Sequence, residues 1–172
     1  LSHPFVLRVG DQYMMWYGGI DGRAGKDVEV GPAHVRVEQI GLATSSDGIH
    51  WKKGNDGKSL PGLGAPKQLG PTVHFDGNRY LMLYNTILET SNGGSLWTLF
   101  AASSEDGIRW KQALSHQPLL GPAPPGNFGS ADGRKGNNHA VHPTKMIVLN
   151  KRVLIWYGAE GNKPAEGKLH AP

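Results

Sequence analysis

The chain has 172 residues, 18 Lys and Arg against 14 Asp and Glu, a formal charge of +4 and no cysteine. The length suits one domain able to bury a core, and the lack of thiols excludes a disulfide scaffold and a zinc finger. No apolar run approaches the roughly 20 residues of a membrane-spanning helix, and dispersed basic residues on a mild net charge argue against a nucleic-acid partner.

The 25 Gly and 12 Pro residues predict many turns and short elements. Leu1-Ser2-His3-Pro4 reads as neither an initiator methionine nor a signal peptide. In chain order, a strand over Phe5 to Val9 meets the turn Gly10-Asp11, then an aromatic and Met-rich strand over Tyr13 to Tyr17. A third strand follows over Gln39 to Thr44, and Asp47-Gly48 turns the chain into a fourth carrying Trp51. The same order returns as Val73 to Phe75, Asp76-Gly77-Asn78, Tyr80 to Tyr84, Leu96 to Ala102, Asp106-Gly107 and Trp110. It begins again at Lys145 to Leu149, Asn150-Lys151 and Val153 to Tyr157. Apolar residues at consecutive positions of the second strands imply burial on both faces. No stretch combines helical periodicity with caps, so the chain is expected to be all-β.

The repetition is explicit. Leu42-Ala43-Thr44-Ser45-Ser46-Asp47-Gly48-Ile49-His50-Trp51 recurs as Phe100 to Trp110 with Glu105 inserted, the two Asp and the two Trp each standing 59 residues apart. Pro4 to Tyr17 aligns with Pro71 to Tyr84 without a gap, and Pro143 to Tyr157 is a third version. Four short antiparallel strands repeated at this period describe β-propeller blades. The units are expected at 1–66, 67–125 and 126–172. Two complete blades and half of a third would make the chain an internal piece of a larger propeller; a self-assembling partial propeller is the alternative.

Tyr13-Met14-Met15-Trp16-Tyr17-Gly18-Gly19, followed by Ile40 to Trp51, resembles the five-bladed β-propellers of the arabinanase, levansucrase and invertase superfamily. That group includes glycoside hydrolase families 43 and 32 and the mannoside-phosphorylase family 130. The resemblance implies about two and a half blades of an expected five, and a carbohydrate ligand. The Ser46-Asp47-Gly48 step lacks the residue that separates Asp from Gly in the sialidase Asp-box. Exact repetition marks Asp47 and Asp106 as turn acceptors rather than catalytic acids, and Trp51 and Trp110 as packing groups.

Loops after strand two and before strand one share one face of a propeller. On that face fall Asp21, Arg23, Lys26, Asp27 and His34, then Glu89 and Asn92, then Glu160, Asn162 and Lys163. His3, Lys67 and Gln68 precede first strands, and the Gly/Pro-rich stretch from Pro118 to His142 adds Asp132, Arg134, Lys135, Asn137, Asn138, His139 and His142. Glycosidic cleavage needs one carboxyl group to protonate the leaving oxygen and another to activate water or attack the sugar. In the resembled hydrolases such acids often stand before the strand-one Pro, where this chain has His3, Gly70 and His142. The candidate acids are therefore Glu160, Asp21 and Glu89. The candidate substrate-binding groups are His3, Arg23, His34, Arg134, Asn137, Asn138, His139 and His142. His3 and His142, both before Pro at equivalent positions, suit a metal or a sugar hydroxyl, and their repetition favours a structural role in which a neighbouring backbone group satisfies each ring. No nucleotide motif and no cofactor is implied.

Three functions stay open: a glycoside hydrolase or phosphorylase, a carbohydrate-binding propeller without catalytic acids, and a scaffold for protein partners. The other partner expected is the remainder of the propeller or another protein.

Overall fold

Each strand-turn-strand segment of the repeat pairs with itself in a computed structural model, which describes residues 2–20, 38–64, 67–89, 95–114, 117–121, 140–149 and 152–160. The strands are β1 (Ser2–Val9), β2 (Gln12–Ile20), β3 (Glu38–Ser45), β4 (Lys52–Lys53), β5 (Gln68–Phe75), β6 (Tyr80–Glu89), β7 (Ser95–Ser104), β8 (Lys111–Gln112), β9 (Ala140–Leu149) and β10 (Arg152–Glu160). They form two four-stranded sheets, β1-β2-β3-β4 and β5-β6-β7-β8, and among the described residues a two-stranded sheet of β9 and β10. All neighbours are antiparallel. The chain is all-β, built of the four-stranded antiparallel sheets that make propeller blades. No helix among the described residues is long and apolar enough to cross a membrane.

The sheets pack face to face, with β5 against both β1 and β9. Unit one sends Met14, Trp16, Ile40 and Leu42 into a core shared with Val73, Tyr80, Met82, Tyr84, Phe100 and Trp110 of unit two. The other face of unit two, through Leu83, Leu99 and Ala101, meets Met146 of unit three. Successive residues of β6 thus enter two different cores, which explains its unbroken apolar run. Burying each large side chain in these layers contributes about 1.5–3 kcal/mol.

The connection between units one and two belongs to the first core. Leu60 and Leu63 are buried there, the Tyr84 hydroxyl donates to the Leu63 carbonyl at 2.6 Å, and the Trp110 amide donates to the Pro61 carbonyl at 3.1 Å. Gly62, at φ +87°, passes so close to Trp110 that a Cβ would lie 1.7 Å from its carbonyl oxygen, so only glycine fits.

First strands begin before their Pro rather than after it. The register slips between Ser2 and Phe5, and between Leu69 and Thr72, so His3-Pro4 and Gly70-Pro71 each oppose one tyrosine, Tyr17 or Tyr84. In unit three Pro143 pairs with Tyr157 and Lys145 with Trp156, leaving Thr144 extra. A bulge is where a strand tolerates the missing N–H of Pro. Trp51 and Trp110 stand immediately before the short fourth strands rather than within them.

Candidate functional site

Antiparallel pairing brings the start of each first strand and the end of each second strand to the same edge of the molecule. Ser2 pairs with Gly18, Gln68 with Thr86 and Ala140 with Glu160. The bulge lies close to this edge in all three units. His3 occupies it with φ +49°, a left-handed conformation that bulky residues rarely adopt, while the equivalent Gly70 has φ +55°. His3 is exposed. A bulge re-aims the side chain it carries, so unit one presents an imidazole where unit two presents none.

Around that edge the side chains become polar. Gln68, Thr86 and Thr98 are cross-strand neighbours in one row and all three are buried. The Thr98 hydroxyl donates to the Thr86 carbonyl at 3.5 Å, and the buried Asn85 amide donates to the Thr98 carbonyl at 3.4 Å. On the opposite face of the same sheet the Lys67 ammonium lies 5.8 Å from the centroid of the half-buried Trp97 ring. In unit one, Ser2, Tyr17, Ile20, Glu38, Gln39 and Lys53 line a groove of about 790 Å³.

Two of these groups escape the sequence reading. Glu38 opens β3 opposite Ile20, which puts a third kind of carboxylate position on the strand-end edge; its place directly before the predicted third strand is the signal that could have found it. Trp97, near the start of β7, adds an aromatic surface there.

The predicted site residues divide as follows. Glu89 and Glu160 are the last residues of β6 and β10, paired with Ser95 and Ala140, and so belong to strands rather than to the loops beyond them. The second strands simply continue past their tyrosines. His142 is also in a strand, its backbone opposite Gly158. His3, Lys67 and Gln68 stand at the same edge. Asp21, Arg23, Lys26, Asp27, His34, Asn92, Asp132, Arg134, Lys135, Asn137, Asn138, His139, Asn162 and Lys163 lie outside the described residues. Among the described residues no three His, Asp or Glu side chains gather as a metal site would require.

The far edge of the molecule holds the turns after the third strands. Ser45 Oγ accepts from the Asp47 and Gly48 amides at 3.2 and 2.9 Å, and Asp47 Oδ1 accepts from Ile49 and His50 at 2.8 Å each. Asp47 Oδ2 lies 2.7 Å from His50 Nδ1. Unit two repeats this with Ser104, Asp106, Ile108 and Arg109, and Arg109 closes on Asp106 Oδ2 at 3.0 Å. The His50 contact first, then the turn amides, hold the Asp47 carboxyl well below the usual carboxylate range. At Asp106 burial works the other way, and the Arg109 and Ile108 amides outweigh it, so its pKa also falls. Both acids are turn acceptors. A hollow of about 940 Å³ at this edge is lined by Arg79, Glu105, Asp106, Arg109, Lys111 and Gln112, and of its charged groups Asp106 and Arg109 are paired with each other.

No family model matches the chain. The uncharacterized proteins Rv1502 and MT1551 of Mycobacterium tuberculosis are each 32% identical to it over 114 residues, covering 65% of this chain and 34% of theirs. The chain thus spans about a third of the length of these relatives. Among solved structures, a GH32 beta-fructofuranosidase of Bombyx mori superposes with a TM-score of 0.59 at 16% identity, over 94% of this chain and 30% of that one. A family 117 glycoside hydrolase of Zobellia galactanivorans gives 0.56 at 13% identity, over 92% and 51%. An N-acetylgalactosamine deacetylase from F. plautii, in complex with blood group B trisaccharide, gives 0.54 at 15%, over 92% and 49%. The similarity to these carbohydrate-active proteins is one of fold.

Proposed function

We propose that the protein is a glycosidase-like propeller that binds or cleaves a carbohydrate at its strand-end edge, as part of a five-bladed assembly of which residues 1–66, 67–125 and 126–172 are two blades and the start of a third. The observation that carries this is the bulge repeated in three units at one edge of the molecule, which in unit one holds the exposed His3 at φ +49°, on the edge where unit two buries Gln68, Asn85, Thr86 and Thr98. Backbone strain persists where the surrounding structure over-determines it, commonly at ligand sites. Hydroxyl-rich ligands need a few fixed donors and acceptors and an apolar ring face. His3, Glu38 and Trp97 offer these among the described residues. Arg23, His34, Arg134, Asn137, Asn138 and His139 are the proposed additions from the remaining sequence, with His142 of β9. A beta-fructofuranosidase variant of Bombyx mori with a similar fold, at TM-score 0.58, is in complex with sucrose.

Glu160, Glu89 and Asp21 are the proposed acids for cleavage. None of the three positions before the strand-one Pro is acidic, which favours binding over hydrolysis by the units present. The test is calorimetric titration and an aryl-glycoside panel on the chain, with sucrose and blood group B trisaccharide as first ligands. The reading expects His3→Ala to weaken binding roughly tenfold, about 1.4 kcal/mol. It also expects Glu160→Gln to abolish any turnover while leaving binding intact. Unchanged affinity on His3→Ala, or silence across a glycan array together with a stable protein partner, would replace it with the scaffold reading.

A further inference from the structure

The turn after β7 walls a hollow of about 940 Å³ on unit two, at the edge away from the proposed carbohydrate site. Unit two has unit one packed on one face and unit three on the other. Completing the following unit does not cover this hollow, as the repeat itself shows. Unit two is complete and lies over unit one, yet there Thr44 is half-buried and His50 and Lys52 are exposed. Their counterparts 59 residues later, Ser103, Arg109 and Lys111, have the same degrees of exposure.

The lining is unevenly satisfied. Asp106 and Arg109 pair at 3.0 Å, whereas no ion pair among the described residues involves Arg79, Lys111 or Glu105. Two cations and one carboxylate are left. Two further lining residues carry buried polar atoms with no hydrogen-bond partner among the described residues, Trp110 Nε1 and Gln112 Oε1. The cause in each case is a neighbour. Trp16 from unit one takes the Gly107 carbonyl, the counterpart of the Gly48 carbonyl that receives Trp51 Nε1. The Tyr84 hydroxyl gives its proton to Leu63, so in its hydrogen bond with Gln112 it accepts from the amide nitrogen and Oε1 is left over. Buried groups without a partner in the chain call for one from outside it. Leu114 lines the same hollow at φ +58°, where the aligned Asn55 has φ +48°. Asn tolerates that conformation and a bulky residue rarely adopts it, so an apolar side chain is held here against backbone strain.

We propose that this hollow binds a small acidic sugar, a uronate or a sugar phosphate, with its oxyanion on Arg79 and Lys111 and its hydroxyls on Glu105, Gln112 Oε1 and Trp110 Nε1. Guanidinium and ammonium groups are the usual partners of carboxylate and phosphate oxygens. A hydroxyl both donates and accepts, so one chemical group answers the unmatched acceptor and the unmatched donor alike. The volume is that of a small-molecule site. The site lies at the opposite edge from His3 and stands independently of the reading given above.

Amide and indole NMR titration of the isotope-labelled chain with sodium glucuronate, glucose-6-phosphate and uncharged glucose tests this. Either acid is expected to shift the amides of Ser104–Trp110 and the Trp110 indole N–H while leaving the homologous turn Ser45–Trp51 unmoved. Glucose at the same concentration is expected to shift neither turn. The tighter of the two acids tells carboxylate from phosphate as the natural oxyanion. Arg79→Gln and Lys111→Gln, both at exposed positions, should each weaken binding roughly tenfold, and Gln112→Leu by a similar factor. His3→Ala should leave it unchanged, so loss of the strand-end site and loss of this one are told apart. Silence with both acids overturns the proposal. So do equal shifts in the two turns, glucose binding as well as the acids, or Arg79→Gln and Lys111→Gln variants that bind like the parent.

Discussion

The turns Ser45–Trp51 and Ser104–Trp110 are nearly the same sequence, bonded in nearly the same way, and they live in different environments. Each Ser hydroxyl accepts from two amides and each Asp accepts from two more. In the first, Trp51 Nε1 donates to the Gly48 carbonyl at 3.1 Å. In the second, that carbonyl is held by Trp16 from the neighbouring unit, and Trp110 is buried beneath with its ring 6.5 Å from that of Trp16 in an edge-on contact. Among the described residues Trp110 Nε1 then has no hydrogen-bond partner. The turn is a local device that forms from its own residues. What it does for stability depends on whether a neighbouring sheet lies over it.

Trp16→Ala breaks this difference most severely. Trp16 is fully buried, stacks obliquely on Tyr80 with centroids 5.8 Å apart, and makes the bond to Gly107. Its removal leaves a cavity between two sheets and is expected to cost about 3–5 kcal/mol in urea unfolding. Trp51→Ala, at the half-exposed copy, should cost about 1 kcal/mol or less. Equal losses would mean that the covered turn gains nothing from its neighbour.

Much of this architecture is written in the chain at short range, and the remainder is not. Strand pairs, the hairpin turns and the role of Asp47 and Asp106 follow from residues within about ten positions of each other and from their recurrence. Consecutive apolar residues such as Met82, Leu83 and Tyr84 announce burial on two faces, though not which partner covers which face. The bond from Trp16 to Gly107 spans 91 residues and depends on how two sheets slide against each other, so no local pattern discloses it. The extension of first strands upstream of Pro was hidden because Pro reads as a strand breaker, whereas the bulge accommodates it. At the candidate site, the histidine before Pro was legible as unusual; its left-handed backbone was not. Glu38 went unnoticed because the third strand begins one residue earlier than its apolar pattern does.

Alanine at the turn glycines gives a finer measure of the same cover. Gly48 and Gly107 have φ of +76° and +73°, so either substitution carries the left-handed penalty of about 1–2 kcal/mol. A Cβ at Gly48 would meet only the Tyr13 ring, at 3.8 Å or beyond. At Gly107 it would sit 3.0 Å from Met14 Cε and 3.2 Å from Trp16 Cζ2, inside a packed core where insertion adds about 1–3 kcal/mol. Gly107→Ala should therefore lower the thermal midpoint more than Gly48→Ala does. The reverse order would show that the neighbouring unit yields freely at this point.

Acid titration of the two aspartates, followed by carboxyl NMR, probes the smallest difference. Each folded pKa lies below the ordinary 3.8. The sign follows from linkage: ionised Asp supports the turn at all pH values above 3.8, and that support fades only as pH falls through the lower, folded pKa. The two copies differ in cause. Both carboxylates are exposed, but the largest influence at Asp47 is His50, while at Asp106 it is partial burial, which opposes the charge and which the amides of Arg109 and Ile108 overcome. Asp47 is thus expected to titrate below Asp106, and His50→Ala to move Asp47 back toward 3.8. Arg109→Ala should move Asp106 less, because its backbone amide survives the substitution and the side-chain bond is the smallest of the influences there. An Asp47 that ignores His50→Ala would mean that the amides alone hold both turns, leaving burial as what distinguishes the two copies.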